Sequence, residues 1–424
     1  MLAAVLESAI SALKTHPSFK ERLRPWYLRN IFFPLFPNRQ PAEFIASWKI
    51  PRIPAMRIAP AKEGCRDFLF LPMVAWHSRF QRPQLLARAI AKRGHRCFYL
   101  NPHLGRQFAR RNEPSPQISH LEPGIYELHI RLPREPVFHH RALSDTESTA
   151  LAEAIETLRQ AIAAPNFIQI IGFPTWCDTA QKVRETSNSP LLYDCHDLVS
   201  GFANVARSIV EQETTLAQTA DLTVASAATL DLHLAKLGVP STKRLLLRNA
   251  VGFNRVAPKP VPNKIGYVGA LEDWFDVEAV AHAAASHPEW QFHLAGRVDS
   301  ARVRTLAKHA NIHMPGEIAA DEVPAFLATL SVGLIPFRLN PLTIAADPLK
   351  LYEYLAASLP VVSSKLPETA RFSAYIHYYD SHLDFPQAIA TALQTKSAPA
   401  DLTNDTWDGR ATELLTSLGC LCES

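Results

Sequence analysis

Short apolar runs alternate with longer helical patterns along this chain of 424 residues, starting near residue 66. Parallel strands need a long crossover between them, usually a helix, so the alternation predicts parallel-sheet α/β structure. Three prolines in the segment 252–264, GFNRVAPKPVPNK, interrupt the pattern once, and it then begins again. We therefore predict two Rossmann-like domains that face each other across a cleft. The predicted strands lie within 67–75, 96–102, 126–133, 167–174, 191–197, 222–227 and 244–251, and then within 264–271, 291–298, 311–317, 332–338, 360–364 and 376–381.

This division predicts four segments. A chain of this length exceeds what one hydrophobic core usually serves, which favours two domains. We expect a basic N-terminal extension at 1–65, a front Rossmann-like domain at 66–255 and a rear one at 256–398. A C-terminal helix and tail occupy 399–424.

The charge distribution excludes one class of partner and leaves another open. A net charge of +4 is small for this length, and no Lys/Arg block interleaved with aromatic residues appears, so we predict no nucleic-acid binding. Residues 1–60 hold nine Lys and Arg against three acids, and RNIFFPLFPNR places apolar residues between arginines. Two interpretations stay open: peripheral contact with an anionic membrane surface, or an irregular arm packed on the protein.

Location and redox state follow from what the sequence lacks. No apolar run approaches the roughly 20 residues that span a bilayer, and no signal-peptide pattern opens the chain. We expect a cytoplasmic protein, with peripheral contact at the inner face of the cell membrane if the basic segment binds lipid. Six cysteines are scattered, only Cys420 and Cys422 lie close together, and reduced thiols are expected.

Polar and turn-forming residues follow most of the predicted strands. They read WHSRFQR, NP, GFPTW and CHD in the first series, and GALEDW, GR, PGE and PFRLNPLT in the second. Ligands of open parallel sheets bind beyond the carboxyl ends of the strands. Two such edges would form a cleft with aromatic walls, cations and few carboxylates, which suits a large phosphorylated ligand.

Eight sequence blocks follow one another along the chain: WHSRFQRPQLLARAIAKRGHRCFYLNP, LLYDCHDL, ADLTVASAATL, LLRNAV, IGYVGALEDWFD, FHLAGR, VGLIPFRLNPLT and DPLKLYEYLAASLPVVSS. In this order they resemble the GT-B-fold glycosyltransferases of the retaining group called family four or glycosyl transferases group 1. The resemblance runs from about Phe70 to Leu393 and is strongest to bacterial members that build surface polysaccharides. It implies transfer of a sugar from a nucleotide diphosphate sugar to a glycan or lipid-linked acceptor, with retention and without a metal or other cofactor. The front domain would hold the acceptor and the rear domain the donor.

The stretch ADPLKLYEYLAASLPVV, residues 346–362, predicts a helix, and the resemblance implies that this helix binds the donor. Pro348 suits the first helical position, and the free amides there, with the helix dipole, favour a phosphate. Lys350 lies one turn in, and Glu353 lies on the same face. The resemblance implies that Glu353 bonds the ribose, that Lys350 contacts the diphosphate, and that Pro348 and Leu349 line the donor site. The alternative is an ordinary surface salt bridge between Lys350 and Glu353.

Three positions depart from the family pattern. Ala345 stands where the usual Glu-x7-Glu pattern has its first glutamate, so that acid's role is missing or supplied elsewhere. Ser358 replaces a common glycine at the helix end. Asp347 can cap the helix, and its carboxylate could compete with phosphate for the same amides.

His196, in YDCHDL, follows a predicted strand of the front domain. By resemblance it matches a histidine that contacts the transferred sugar, and an imidazole there can bond a hydroxyl or phosphate. The alternative is a histidine satisfied by Asp194 and Asp197. These two acids could be mistaken for a metal motif, but the double Rossmann layout favours metal-independent chemistry.

The first strand-to-helix turn, HSRFQRPQ, offers candidates for the acceptor or phosphate side. No glycine occurs between Leu71 and Arg93, so side chains must contact the ligand if this turn does. His77, Arg79 and Arg82 are the candidates, with Arg82 preferred because it directly precedes a helix-starting proline. Solvated side chains are the alternative.

Five rear-domain residues complete the predicted donor site. Gly269 would let backbone approach the diphosphate, or is a simple turn glycine. Trp274 would line the pocket, or pack under the next helix. Arg297 and Arg338 would stabilise the leaving diphosphate, and Thr343 would donate to phosphate.

Two other functions stay open beside the transferase. A catalytically silent nucleotide-sugar-binding scaffold of a polysaccharide assembly complex is favoured by the missing acid at Ala345 and the basic extension. A sugar-nucleotide epimerase on the same fold would need acid and base groups around the sugar and no acceptor site. Lys350, Glu353 and His196 are the predicted catalytic set.

Overall fold

The computed structural model describes residues 60–104, 117–132, 138–395 and 399–419, and the single residues 27, 30, 58 and 136. These residues form two largely parallel β-sheets, and helices pack against each sheet. The predicted α/β architecture is confirmed. Most of the predicted basic extension, and the pair Cys420 and Cys422, lie outside the described residues. Across the part that is described, we find no helix whose length and hydrophobicity would suffice to span a bilayer.

The front sheet has eight strands in the order β3-β4-β2-β1-β5-β6-β7-β8. Its neighbours pair in parallel except β3 and β4. Phe68 and Phe70 of β1 face one apolar layer, while Leu69 and Leu71 face the other. The sheet is thus buried on both faces, as parallel sheets are. Its strands are β1 Asp67–Leu71, β2 Arg96–Leu100, β3 Gln117–Glu122, β4 Ile125–His129, β5 Ile168–Ile171, β6 Leu191–Cys195, β7 Leu222–Ala225 and β8 Arg244–Leu246.

Strand β3 is the one described strand that the sequence pattern did not predict. It pairs antiparallel with β4 at the sheet edge, across a turn at Gly124 with φ +76°. The dipeptide Pro123-Gly124 is an ordinary turn signal and could have revealed this hairpin.

Five helices pack on the front sheet. The first begins at Arg82 with Pro83 in its first turn, as predicted, and ends before Gly94, whose φ is +92°. Gln81 and Gln84 cap its start reciprocally. The helices are α1 Arg82–Lys92, α2 Asp145–Ala161, α3 Cys177–Ser187, α4 Arg207–Thr219 and α5 Ala228–Lys236.

The rear sheet has six parallel strands in the order β11-β10-β9-β12-β13-β14. Each strand predicted in the second series forms. The strands are β9 Lys264–Val268, β10 Gln291–Ala295, β11 Ile312–Gly316, β12 Val332–Ile335, β13 Val361–Ser364 and β14 Ile376–Tyr379, and the helices are α6 Val277–Ser286, α7 Ala301–Arg304, α8 Val323–Ala328, α9 Pro341–Ile344, α10 Leu349–Ala356 and α11 Phe385–Gln394.

The last helix, α12 Trp407–Ser417, returns from the rear domain to the front one. Its Leu414 and Leu415 share a core with Leu85 of α1. Arg93, just after α1, forms an ion pair with Asp408. The end of the chain is therefore built into the front domain.

Reduced thiols were expected at all six cysteines, and the structure differs from this expectation at Cys65. Cys65 is disulfide-bonded, and its partner is not among the described residues. Cys97, Cys177 and Cys195 are free and buried, and burial raises the pKa of each thiol. These three cysteines are packing residues, since the thiolate that reacts is disfavoured.

A buried polar network joins the two domains. The Arg82 guanidinium, 3% exposed, donates to the Asp194 carboxylate at 2.9 Å, to the Leu247 carbonyl at 2.8 Å and to the Asn249 side-chain oxygen at 3.2 Å. The Asn249 backbone N–H donates to the Asp347 carboxylate at 2.6 Å. This chain of bonds runs from the end of β6 to the start of α10.

The packing of α10 gives a first prediction. A Cβ at Gly333 on β12 would lie 2.7 Å from the buried Tyr354 ring of α10. Because a packed core adjusts poorly to added volume, Gly333→Ala should lower the free energy of unfolding by about 1–3 kcal/mol in urea denaturation. The matched control is Gly252→Ala, where the new Cβ meets its nearest neighbour at an ordinary 3.5 Å. Its effect should stay within about 0.5 kcal/mol, and equal losses in both variants would contradict the packing argument.

Candidate functional site

Two glycines at the carboxyl ends of β9 and β10 form the floor of the rear side of the cleft. Gly269 and Gly296 have φ +145° and +146°, and a Cβ at Gly296 would lie 1.8 Å from the Gly269 carbonyl oxygen. The two turns thus touch through bare backbone. Of these two glycines only Gly269 was a predicted site residue, although both follow an apolar strand in the same way.

Lys350 lies over this floor. A Cβ at Gly269 would be 3.0 Å from the lysine Cε and 3.3 Å from Nζ. The Nζ lies 5.3 Å from the ring centroid of Tyr267 and 5.1 Å from that of Phe337. Burial lowers the Lys350 pKa below its usual range, and the nearby Arg79 charge adds to this while Glu353 opposes it. The ammonium is therefore held by aromatic faces and is poorly solvated.

The alternative interpretation, a surface salt bridge between Lys350 and Glu353, is not what the structure shows. Within the described part of the chain, no ion pair within 4.0 Å joins the two side chains, and the Glu353 carboxylate accepts no hydrogen bond there. Burial raises the Glu353 pKa above its ordinary value, with Lys350 acting against the rise. Both side chains of the predicted pair are half-buried at the cleft and keep free hydrogen-bonding capacity.

The helix itself begins one residue later than predicted. Helix α10 starts at Leu349, with Pro348 at the N-cap position and no side-chain cap. Asp347 does not cap it, because Tyr352 Oη donates to this carboxylate at 3.1 Å and the Asn249 N–H does so from the front domain. The expected competition between Asp347 and phosphate for the helix amides is therefore wrong. Ser358, after the helix end, takes the left-handed conformation with φ +55° that favours glycine.

Arg79 reaches from the front domain to the rear side. Its Nη1 lies 3.9 Å from Glu272 Oε1, and the two side chains are 26% and 29% exposed. Its Nε is buried and has no hydrogen-bond partner among the residues that the structure describes. Burial raises the Glu272 pKa, and the Arg79 charge opposes the rise. The structure thus brings Arg79 and Lys350, one cation from each domain, to the glycine floor.

His196 lies at the end of β6, on the front wall. Its Nδ1 is 2.9 Å from the Asp194 carbonyl oxygen and its Nε2 is 3.8 Å from Asp197 Oδ2. The ring packs over Gly172, where a Cβ would lie 3.4 Å from Cε1. Burial raises the Asp197 pKa, with His196 acting against it. With Nδ1 bonded to a carbonyl, Nε2 is the nitrogen left for a ligand.

Two predicted ligand contacts are contradicted by the structure. Arg82, preferred for the acceptor or phosphate side, is 3% exposed and bonded within the network between the domains. Thr343, also 3% exposed, caps α9 and donates its hydroxyl to the Arg338 carbonyl at 2.6 Å. Distant residues bind the Arg82 side chain, whereas neighbours in its own turn bind that of Thr343.

Three predicted rear-domain residues lie at the cleft edge, and they differ in exposure and in their bonds to the protein. Arg297 is 50% exposed and bonded to Asp299 at 2.7 Å. Trp274 packs against the rear core. Arg338 is exposed, and its backbone N–H donates to the Trp274 carbonyl at 2.8 Å. No cluster of three or more His, Cys, Asp or Glu side chains that could hold a metal ion occurs among the residues described.

Known proteins resemble this chain in both sequence and fold. The family model described as "Glycosyl transferases group 1" matches residues 262–395. The rear domain is thus similar to the glycosyl transferases group 1 family. Its match includes the glycine floor, Lys350 and Glu353, whereas His77, Arg79 and His196 of the front domain lie outside it.

A curated relative extends the similarity. The "putative teichuronic acid biosynthesis glycosyltransferase TuaH" of Bacillus subtilis (strain 168) is 27% identical over 231 residues, covering 48% of this chain. The match spans 58% of the relative's length.

Solved structures of other proteins share the fold over most of this chain. Sucrose-phosphate synthase (tll1590) from Thermosynechococcus elongatus has a TM-score of 0.59 at 15% identity, covering 84% of this chain and 95% of the other. Anabaena Alr3699/HepE in complex with UDP and glucose has a TM-score of 0.58 at 11% identity, covering 84% and 100%. These similarities establish the GT-B fold.

The buried carboxyl of Asp347 gives a prediction for pH dependence. Burial raises its pKa from 3.8 to about 6, with the Asn249 N–H opposing the rise. Between these values the folded protein holds a proton that the unfolded chain has lost, so this group lowers stability as pH rises, until about pH 6. Relative to wild type, Asp347→Asn should therefore gain about 1 kcal/mol of unfolding free energy between pH 5 and pH 8.

Urea denaturation at both pH values measures this gain. The control Asp380→Asn alters a side chain that is 68% exposed, and we expect a smaller change for it. A difference between Asp347→Asn and wild type that does not vary with pH would show that Asp347 is ionised throughout.

Proposed function

We propose that this protein transfers a sugar from a nucleoside diphosphate sugar to a hydroxyl of a glycan or lipid-linked acceptor. The observation that carries the proposal is the Lys350 ammonium, which lies over Gly269 at the start of α10 without a carboxylate partner within 4.0 Å in the described residues. A poorly solvated cation over bare backbone is suited to a pyrophosphate. The group 1 match across 262–395 supports the same function.

The diphosphate would lie between the two domains. Lys350 and the first amides of α10 would contact it from the rear, and Arg79 from the front, exchanging its loose 3.9 Å contact with Glu272 for phosphate. Arg338 is an exposed third cation at the same edge. As the bond between sugar and phosphate breaks, negative charge grows on the leaving diphosphate, and fixed cations in a poorly solvated site stabilise it.

Two further residues, one on each wall of the cleft, would contact the sugars of the donor. Glu353, which accepts no hydrogen bond from a described residue, would accept one from the ribose. His196 Nε2 would face the transferred sugar, since its Nδ1 is held by the Asp194 carbonyl at 2.9 Å. A cleft closed over both ligands would exclude water, which otherwise hydrolyses the donor.

Finer features of the reaction are part of the same proposal. Retention of anomeric configuration and independence of metal are supported by the family resemblance. A role in surface-polysaccharide synthesis is supported by the name of the teichuronic acid relative. Peripheral attachment at the inner membrane face would come from the basic N-terminal segment, which lies outside the described residues.

The central experiment identifies products directly. The protein would be incubated with UDP-, GDP- and ADP-sugars and extracted lipid-linked glycans, with and without EDTA, and the products followed by mass spectrometry. We expect one donor to be consumed with a matching mass gain on an acceptor, unchanged by EDTA. Nucleotide binding without transfer or hydrolysis would favour the scaffold instead, and conversion of the donor sugar without an acceptor would favour the epimerase.

Substitutions of Lys350 and Glu353 can distinguish a role in nucleotide binding from a role in folding. Lys350→Met and Glu353→Gln should each raise the Kd for the nucleoside diphosphate by about tenfold or more, as loss of a charge-assisted contact does. Their thermal unfolding midpoints should not fall, since each removes a half-buried charge. Isothermal titration with UDP, GDP and ADP and thermal melting measure the two effects.

The matched control is Lys365→Met, which alters a lysine of the same domain that is 57% exposed and paired with Asp380. We expect unchanged affinity for it. Unfolding of the Lys350 and Glu353 variants at the same ligand-free conditions would mean that the pair is structural and that the proposal has lost its main support.

A further inference from the structure

A buried carboxylate, that of Glu127, lies behind the front wall of the cleft. Glu127 stands in the middle of β4 and is 2% exposed. Strand β4 pairs with β2 so that Tyr99 lies opposite Glu127. A charge inside a parallel sheet costs several kcal/mol unless partners compensate it, and the fold itself does not require one at this position.

The partners of Glu127 keep it ionised. Asn101 Nδ2 donates to Oε1 at 2.8 Å, and His129 Nε2 lies 3.0 Å from Oε2. His77 Nε2 lies 3.9 Å from the same Oε2. Burial alone would raise the Glu127 pKa, but His129, His77 and Asn101 together lower it below its ordinary value. The carboxylate is thus a fixed anion facing two imidazoles.

The two imidazoles differ in what else they can reach. His129 is 6% exposed, so its ring contacts the protein interior and not a ligand in the cleft. His77 is 36% exposed and lies on the loop after β1, two residues before Arg79, which crosses the cleft to Glu272. With Nε2 directed at the carboxylate, the His77 Nδ1 is the nitrogen left for a ligand in the cleft.

We propose that His77 is a binding residue for an acceptor hydroxyl and that Glu127 is its positioning residue. A carboxylate fixes the imidazole tautomer with the proton on Nε2, which leaves Nδ1 as a hydrogen-bond acceptor for a hydroxyl. The ligand class is a polyhydroxylated acceptor such as a glycan. This inference rests on the proposed sugar transfer and adds the front-domain group that meets the acceptor.

The spacing between His77 and Glu127 suits a site that tightens on binding. At 3.9 Å the contact is longer than a hydrogen bond, and such contacts in ligand-free sites often shorten in the substrate complex. Asn101 and His129 hold the carboxylate from the other sides, so the ring and not the anion would move.

The front domain contains a matched control for this pair. His233 Nε2 lies 3.3 Å from Glu213 Oε2, and the two side chains are 21% and 1% exposed. His233 lies in the last turn of α5. A helix that follows a parallel strand runs back from the carboxyl edge, so this second pair lies away from the cleft.

The test measures how the donor partitions between transfer and hydrolysis. Wild type and variants would be supplied with the UDP-, GDP- and ADP-sugars and extracted lipid-linked glycans, and both products quantified in the same reaction. The ratio of transfer to hydrolysis does not depend on the fraction of folded enzyme. We expect His77→Ala to lower this ratio at least fivefold and Glu127→Gln to lower it by a smaller factor.

Combining the changes tests the link between the two residues. In the double variant, Glu127→Gln should add nothing to the loss caused by His77→Ala, because the carboxylate acts through the ring. His233→Asn should leave the ratio unchanged. An unchanged ratio in His77→Ala, or independent effects that multiply in the double variant, would overturn the inference.

A spectroscopic readout checks the positioning role without turnover. Nitrogen-15 spectra of histidine-labelled protein should show His77 with its proton on Nε2 in wild type and a mixture of tautomers in Glu127→Gln. A His77 proton on Nδ1 in wild type would overturn the proposal even if Glu127→Gln failed to fold. Wild-type protein that consumed no donor would instead refute the proposed transferase activity, which is a separate outcome.

Discussion

The buried bonds from Asp194 to Asp347 are the constraint on which the rest of the site depends. They connect the strand end that carries His196 to the residue just before the helix that carries Lys350, through Arg82 and Asn249. Each bond involves a charged group with little access to water, so breaking one would leave an unpaired buried charge, at a cost of several kcal/mol. These bonds therefore fix the position of the front wall of the cleft, which carries His196, relative to the rear wall, which carries Lys350.

A second contact between the domains reinforces this geometry. Glu368, 4% exposed in the rear domain, accepts hydrogen bonds from the Ala228 N–H and the Arg248 guanidinium, both at 2.6 Å. One bond caps the start of α5 in the front domain, where a carboxylate also meets the helix dipole favourably. The buried Glu368 carboxylate is therefore satisfied by partners on the opposite domain.

The charged side chains at the cleft have fewer hydrogen-bond and ion-pair partners than those at the contact between the two domains. Burial lowers the Lys350 pKa and raises those of Glu353 and Glu272, so each of these groups carries its charge at a cost to folding. Proteins keep such groups where function needs them, and a cluster of shifted groups at a sheet edge is typical of a binding site. A ligand with the opposite charge distribution would relieve the cost, which is a source of affinity.

The contrast between strands and site contacts shows how far the sequence could predict this structure. Strands such as Asp67–Leu71 and Val361–Ser364 were predictable because a buried parallel strand is a local apolar run. That Lys350 and Glu353 lie close together was predictable because one helix carries both. The burial of Arg82 was not predictable, since its partner Asp194 is 112 positions away. The glutamate in YELHI, at Glu127, was a visible irregularity in an apolar run, but its neighbour His77 comes from another strand end.

The departure at Ala345 has a physical explanation in the contact between domains. This rear-domain residue is 1% exposed and packs in the core of the front domain. Nearby, Leu342 of α9 lies so close to Gly201 that a Cβ there would be 2.9 Å from the leucine Cβ. A carboxylate at position 345 would be buried among apolar side chains, at a high desolvation cost. The loop after β12 therefore serves the interface between the domains, and any acidic group that meets the donor sugar has to come from another segment of the chain.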